Sequence, residues 1–277
     1  MVPKEQFATL SAGRFRLLRW PGEERLPATV FLHGLGGMAD VWGWTVGSLR
    51  DPHGPVIALD QRGHGQSPAP MGRGAYTAAR MVKDVLELFD AEGLGRPQLV
   101  GHSMGGRIAM VLASRFPEAV RSVAIVDIGP EAWKANYEES AGAIRGRPGS
   151  FANRTEAISF AASRRALSPA DEELFLKRLR RLPDGSFEWA GSAEAMIRTV
   201  RTQRLRNYWR EWQALRPPVL MVRGGRTREV RERVAERMRQ LNPAVEFVEI
   251  SESSHNIPLI APERLAEELE RFWRRSG

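Results

Sequence analysis

Cysteine is absent from all 277 residues of the chain. A disulfide framework, a thiolate zinc site and a cysteine nucleophile are therefore excluded. Histidine is also scarce, with five residues, and we predict no metal site. No run of 18 apolar residues predicts a membrane span, and the N-terminal residues lack the apolar run of a signal peptide. We therefore expect a mature, cytoplasmic protein.

Lysine is rare as well, with four residues against 37 arginines, and the formal net charge is +8. This bias is typical of a GC-rich genome or a high growth temperature. Between residues 142 and 216, 14 arginines and one lysine face eight acids, a net charge of +7. Binding of nucleic acid through this segment is one hypothesis, but no recognised DNA- or RNA-binding motif accompanies the charge. We therefore expect no nucleic-acid partner.

Hydrophobic residues make up 42% of the chain and charged residues 27%, as in ordinary globular proteins. Short apolar runs alternate with helical patterns, which predicts a doubly wound, mostly parallel sheet of the α/β class with helices on both faces. An antiparallel hairpin is expected at the N-terminal edge of the sheet. The predicted strands are 28–33, 55–60, 98–102, 122–127, 218–223 and 245–250, and the predicted helices are 76–92, 104–116, 229–240 and 262–274.

The alternation stops between residues 130 and 207, where the sequence is polar, helical in pattern and without a signal for a buried strand. This predicts a helical insertion in one domain. The predicted core domain comprises residues 1–129 and 208–277. Aromatic residues of the insertion are the expected lining of a substrate pocket, namely Trp133, Phe151, Phe175 and Trp189.

Gly101-His102-Ser103-Met104-Gly105 matches the pattern G-x-S-x-G. Such a match is weak by itself, but here it follows a predicted buried strand and precedes an amphipathic helix. In that setting a sharp turn exposes the serine hydroxyl above the carboxyl edge of the sheet. Ser103 is therefore the predicted nucleophile. The backbone amides of Met104 and of Leu35, in the glycine-rich loop after the first long strand, are the predicted oxyanion donors.

A serine hydroxyl needs a base, and the five histidines can be compared by position. His255 follows the last predicted strand and therefore lies on the same sheet edge as Ser103. It is the predicted base. The other four are expected in structural or loop positions: His33, His53, His64 and His102.

With these motifs in order, the sequence resembles the α/β-hydrolase superfamily outside the insertion. The motifs are His33-Gly34-Leu35-Gly36-Gly37, Asp60-Gln61-Arg62-Gly63-His64-Gly65-Gln66-Ser67, Gly101-His102-Ser103-Met104-Gly105-Gly106 and the late His255. The resemblance implies that Leu35 and Met104 supply the oxyanion amides and that the insertion is a helical lid.

The acid of the triad departs from the family's usual pattern. The resemblance places it just after strand 218–223, where this sequence has Arg228 at the expected position and Glu229 beside it. A minority branch carries the acid at the end of the strand that follows the nucleophile helix, and Asp127 ends that strand here. Asp127 is the preferred acid, and Glu229 is the alternative.

The leading hypothesis is a serine hydrolase that cleaves small carboxylic esters through an acyl-enzyme and requires no cofactor. A lactone or a carbon–carbon bond next to a ketone is an alternative substrate for the same machinery. A second class is a ligand-binding, receptor-like relative that keeps the triad and turns over slowly, because the fold alone does not fix the function.

Overall fold

The computed structural model describes residues 2–50, 54–164 and 166–276. His53 lies outside these residues. The strands are β1 (Lys4–Leu10), β2 (Gly13–Trp20), β3 (Thr29–Leu32), β4 (Val56–Leu59), β5 (Gln98–His102), β6 (Ser122–Val126), β7 (Ser150–Phe151), β8 (Leu179–Arg181), β9 (Phe187–Trp189), β10 (Val219–Gly224) and β11 (Glu246–Ile250). The α-helices are α1 (Gly43–Gly47), α2 (Ala78–Ala91), α3 (Met104–Arg115), α4 (Lys134–Arg145), α5 (Arg154–Ala162), α6 (Pro169–Leu176), α7 (Ala193–Arg204), α8 (Trp209–Gln213), α9 (Glu232–Leu241), α10 (Ile257–Ile260) and α11 (Pro262–Ser276).

An eight-stranded sheet in the order β1-β2-β4-β3-β5-β6-β10-β11 forms the centre of the described structure. Only β2 runs against the others, because it pairs antiparallel with both β1 and β4 while the remaining pairs are parallel. The predicted α/β class, the mostly parallel sheet and the N-terminal hairpin are therefore confirmed. Because the central strands are buried on both faces, they consist of continuous apolar runs.

Helices cover both faces of this sheet. Apolar side chains of α2, α3, α8 and α9 share one core cluster with the sheet, and those of α1, α10 and α11 share the other. The amphipathic patterns of these helices account for the two layers. No helix within the described ranges is long and apolar enough to cross a membrane.

The chain leaves this core between β6 and β10, and we call residues 130–207 the inserted segment. The chain enters and leaves this segment at neighbouring points: the N–H of Tyr208, the first residue after it, donates a hydrogen bond to the carbonyl of Pro130 at 2.7 Å. After this point α8 returns to the core, where Trp212 is fully buried and its Nε1 donates to the Met238 carbonyl. We therefore retain 130–207 as the proposed limits of the insertion.

The expectation that this segment contains helices and no strand is wrong in part. Strands β7, β9 and β8 form a small antiparallel sheet, and β8 and β9 are joined by a tight turn at Gly185, whose φ is +87°. These strands have two or three residues each, and only Phe151 of β7 and Leu179 of β8 are buried in them. Strands of this length cannot show the alternating pattern from which a strand is predicted.

Candidate active site

Ser103 occupies a strained turn between β5 and α3. Its φ is +51° and its ψ is −114°, a combination that residues with a side chain adopt at a cost. The Ser103 N–H donates to the Val126 carbonyl at 2.9 Å, which ties the turn to the neighbouring strand. The flanking glycines are required sterically, since a Cβ on Gly101 would lie 2.3 Å from the Gly105 carbonyl oxygen and one on Gly105 2.3 Å from that of Leu32. The turn therefore holds the hydroxyl at the carboxyl edge of the sheet.

His255 lies in the loop after β11 and reaches this hydroxyl. Its Nε2 is 3.0 Å from the Ser103 Oγ, and its Nδ1 is 2.8 Å from Oδ2 of Asp127. A carboxylate can only accept, so Nδ1 carries the proton and the Nε2 lone pair faces the serine. The structure thus brings the three predicted side chains into one chain of hydrogen bonds.

Asp127 follows β6 with a φ of +49°, and its side chain is fully buried. Besides His255, its carboxylate accepts from the Gly224 N–H at 2.9 Å and from the Thr227 hydroxyl at 2.5 Å. A buried carboxylate is stable only when it is well hydrogen-bonded, and these donors meet that need. Thr227 was not anticipated from the sequence, although it lies in the loop where the family's acid usually stands.

Glu229, the alternative acid, has other partners. Its carboxylate forms an ion pair with Arg204 of α7 and accepts from Asn136 Nδ2 at 3.0 Å. Despite burial, Arg204 holds the pKa of Glu229 down at about 2. Among the described residues it makes no hydrogen bond to His255. Glu229 therefore joins the loop after β10 to the inserted segment.

The remaining described histidines hold the surrounding loops. His33 Nδ1 donates to the Gly34 carbonyl at 2.7 Å, and its Nε2 accepts from the Gln61 N–H. His102 Nε2 donates to the carbonyl of His255 at 2.8 Å. Burial lowers the pKa of His102 to about 3 and that of His64 to about 4. These rings are therefore neutral at pH 7 and serve as fixed hydrogen-bonding groups.

The two predicted oxyanion amides border the hydroxyl. Leu35, Ser103 and Met104 line one small cavity, and within the described residues neither the Leu35 nor the Met104 N–H donates to a protein acceptor. Met104 begins α3, whose N-terminus carries partial positive charge. Both donors are therefore available to an oxygen that develops negative charge at this position.

Leu35 also lines a second, larger cavity of about 400 Å³ between the glycine-rich loop and the inserted segment. Of the predicted pocket aromatics, Phe175 and Trp189 line it, whereas Phe151 packs against them without lining it. Trp133 does not line this cavity, because its ring stacks under Arg231. Phe160 lines the cavity and was missed, because neighbours within a short helix do not reveal which ring faces the interior.

Comparison with known proteins identifies the family of the fold. A family model described as the α/β hydrolase fold matches residues 27–262. The chain belongs to the α/β-hydrolase family. The resemblance seen in the sequence motifs is therefore confirmed.

Individual members of the α/β-hydrolase family show the extent of the likeness. Esterase Rv0045c of Mycobacterium tuberculosis is 30% identical over 231 residues, which is 80% of this chain and 74% of that protein. The 2-(acetamidomethylene)succinate hydrolase of Mesorhizobium japonicum is 27% identical over 247 residues, or 89% and 87%. The crystal structure of an E-2-(acetamidomethylene)succinate hydrolase superposes with a TM-score of 0.88 over 98% of this chain and 99% of that one, at 24% identity.

Other matches cover only part of this chain and of the matched protein. Over shorter stretches this chain is 40% and 37% identical to two further curated bacterial relatives, but it spans only 41% and 40% of their length.

Within the described ranges, no group of three or more His, Asp and Glu side chains is arranged to hold a metal ion.

Proposed function

We propose that this chain is a serine hydrolase that cleaves small carboxylic esters through an acyl-enzyme intermediate. The observation that carries the proposal is the linked series Ser103 Oγ, His255 Nε2, His255 Nδ1 and Asp127 Oδ2, with separations of 3.0 and 2.8 Å. This arrangement activates a hydroxyl for attack on an acyl carbon. The likeness to an esterase over most of the chain supports the same reaction class.

In the first half-reaction, His255 Nε2 takes the proton of Ser103 as Oγ attacks the carbonyl carbon of the ester. The carbonyl oxygen becomes an oxyanion and accepts hydrogen bonds from the Leu35 and Met104 amides. The imidazolium is stabilised by Asp127. It then donates its proton to the leaving alkoxide, and the acyl group stays on Oγ.

In the second half-reaction, His255 removes a proton from a water molecule, and the resulting hydroxide attacks the acyl carbon. The same two amides stabilise the second oxyanion. Ser103 Oγ leaves and recovers a proton from His255, which releases the carboxylic acid. We propose that the inserted segment acts as a lid over this reaction and, with Phe175 and Trp189, forms the wall against which the substrate packs.

Titration with a serine-directed fluorophosphonate, followed by steady-state assay on p-nitrophenyl acetate and butyrate, tests the proposal. We expect one phosphonyl group per chain, located on Ser103 by mass spectrometry, complete inactivation, and multiple turnover in the unlabelled enzyme. Labelling of Ser103 without turnover would instead support a receptor-like relative. Absence of labelling would contradict an activated serine.

A further inference from the structure

Arg147 lies in the wall of the 400 Å³ cavity, in the loop between α4 and β7. Its guanidinium carbon is 4.5 Å from the centroid of the Trp189 ring. Nη2 donates to the Gly191 carbonyl at 3.2 Å, and Nη1 is 3.6 Å from the Met196 sulfur. All of these partners are uncharged. Among the described residues, Arg147 forms no ion pair.

Several arginines of the inserted segment have carboxylate partners, although exposed ones such as Arg145 and Arg164 form no ion pair within the described ranges. Arg154 pairs with Glu173, Arg206 with Glu211, and Arg204 with Glu229. Arg147 is half-buried, and this burial lowers its pKa, with no acid to oppose the effect. A partly desolvated positive charge is costly unless an opposite charge lies beside it. The Arg147 guanidinium is therefore suited to bind an anion that arrives from solution.

The surrounding cavity is positive, and it shares Leu35 with the small cavity that Ser103 lines. Arg164 and Arg178 also line it, as do Asp171 and the neutral ring of His102. Arg164 is exposed and stacks over Phe160, with its guanidinium carbon 4.9 Å from the ring centroid. The loop that carries Leu35 also lines this cavity, and Leu35 borders Ser103 in the small cavity beside it.

We propose that Arg147 forms an anion subsite, so that the preferred substrates are esters with a carboxylate remote from the scissile carbonyl. The inference rests on the proposed function for the position of that carbonyl. The guanidinium offers a planar pair of N–H donors that matches a carboxylate, while Trp189 holds its plane from one side. The aromatic and aliphatic lining between the two ends accommodates the chain that joins them.

Two matched pairs of esters test the subsite. Monomethyl adipate and methyl hexanoate have acyl chains of the same length and differ in the terminal carboxylate. 4-Acetoxybenzoate and 4-methylphenyl acetate place the difference in the leaving group. We expect the wild-type enzyme to prefer the anionic member of at least one pair in kcat/KM, as measured by acid release at constant pH.

Arg147→Gln should lower this preference by about 10- to 100-fold, mostly through KM, because a hydrogen bond to a charged group is lost. Arg147→Lys should retain part of the preference, because the charge remains but the paired donors do not. Arg145→Gln is the matched control. It removes the same charge two residues away, at an exposed position outside the cavity lining, and should leave the preference unchanged.

Several outcomes would overturn the subsite. One is a wild-type enzyme that hydrolyses both members of each pair equally, which leaves the proposed function intact. Another is an equal loss for neutral and anionic esters in Arg147→Gln at unchanged melting temperature, which shows that Arg147 only supports Trp189. If neither ester is hydrolysed, the proposed function fails on its own. Calorimetric binding of adipate that is lost in Arg147→Gln would then still support the subsite, and no binding to the wild type would refute it.

Discussion

The carboxyl edge of the sheet and the inserted segment are built in opposite ways. At the edge, Ser103 and Asp127 are buried, and hydrogen bonds from neighbouring strands and loops hold each of them. In the inserted segment, the hydrophobic cluster has only Phe151, Ala157 and Leu179 buried, and several charged side chains form exposed ion pairs. Close packing suits the fixed geometry of a reaction, and a wall built on a small, partly exposed cluster tolerates exchange of side chains. The edge should therefore set the chemistry, and the segment should set the substrate.

The largest effect is expected at the edge, from Ser103→Ala. This change should lower kcat by on the order of 10⁶ for every substrate, because nucleophile and base act as a unit. His255→Ala should have a similar effect. The assay is kcat on neutral and anionic esters, with melting temperature as a control for folding. A variant that retains a tenth of wild-type activity would contradict the assignment.

Asp127→Asn should come next, with a loss of about 10³ or more in kcat, because the amide cannot hold His255 as the Nδ1-protonated tautomer or stabilise its charge. Glu229→Gln is the matched variant at the alternative acid. It should retain near-normal kcat, because its contacts are to Arg204 and Asn136. Both are measured on the same ester. The reverse pattern would show that Glu229 is the acid.

Thr227→Val should have a smaller effect of the same kind. The change removes the hydroxyl that donates to Asp127 Oδ2 and accepts from the Glu229 N–H, and it keeps the volume of the side chain. We expect a loss of about tenfold in kcat for all esters, the typical cost of a hydrogen bond to a charged group. Thr227→Ser should restore activity. If Val and Ser variants lose activity equally, the hydroxyl does not position Asp127.

The sequence predicted this edge more fully than it predicted the segment. Glycines around Ser103 and the order of strands indicated where Ser103 and His255 would meet, since parallel strands end on one side of the sheet. Thr227 could not be assigned, because a threonine in a loop has no sequence pattern that marks it as the donor to a carboxylate on another strand. Asp127's positive φ has no signature in the residue type alone.

In the inserted segment, the sequence did not predict which side chains line the cavity, and the reasons are physical as well. Trp133 was expected in the pocket because it is a large aromatic residue, but Arg231 from the core covers its ring. In the sequence, Arg147 is only one of the charges that make up the +7 total of residues 142–216. Its position beside Trp189 depends on a small sheet whose strands are too short to be recognised. Packing between distant short elements, and not local pattern, determines this wall.

The smallest effect concerns the net charge of residues 142–216. Steering by the whole +7 field of these residues would raise association of an anionic ester 10- to 1,000-fold at low salt, roughly the range known for electrostatic guidance. Many of these charges are neutralised locally, as in the pairs Arg180–Glu188, Arg198–Glu194 and Lys177–Asp40. A half-buried contact at Arg147 is screened much less than exposed charges are. We therefore expect the preference for monomethyl adipate over methyl hexanoate to fall by less than about threefold between about 0.02 and 0.3 M salt. The contrary result is a fall in this preference of tenfold or more that is equal in the wild type and in Arg147→Gln. It would show that the preference comes from the net charge of residues 142–216 and not from a local subsite at Arg147.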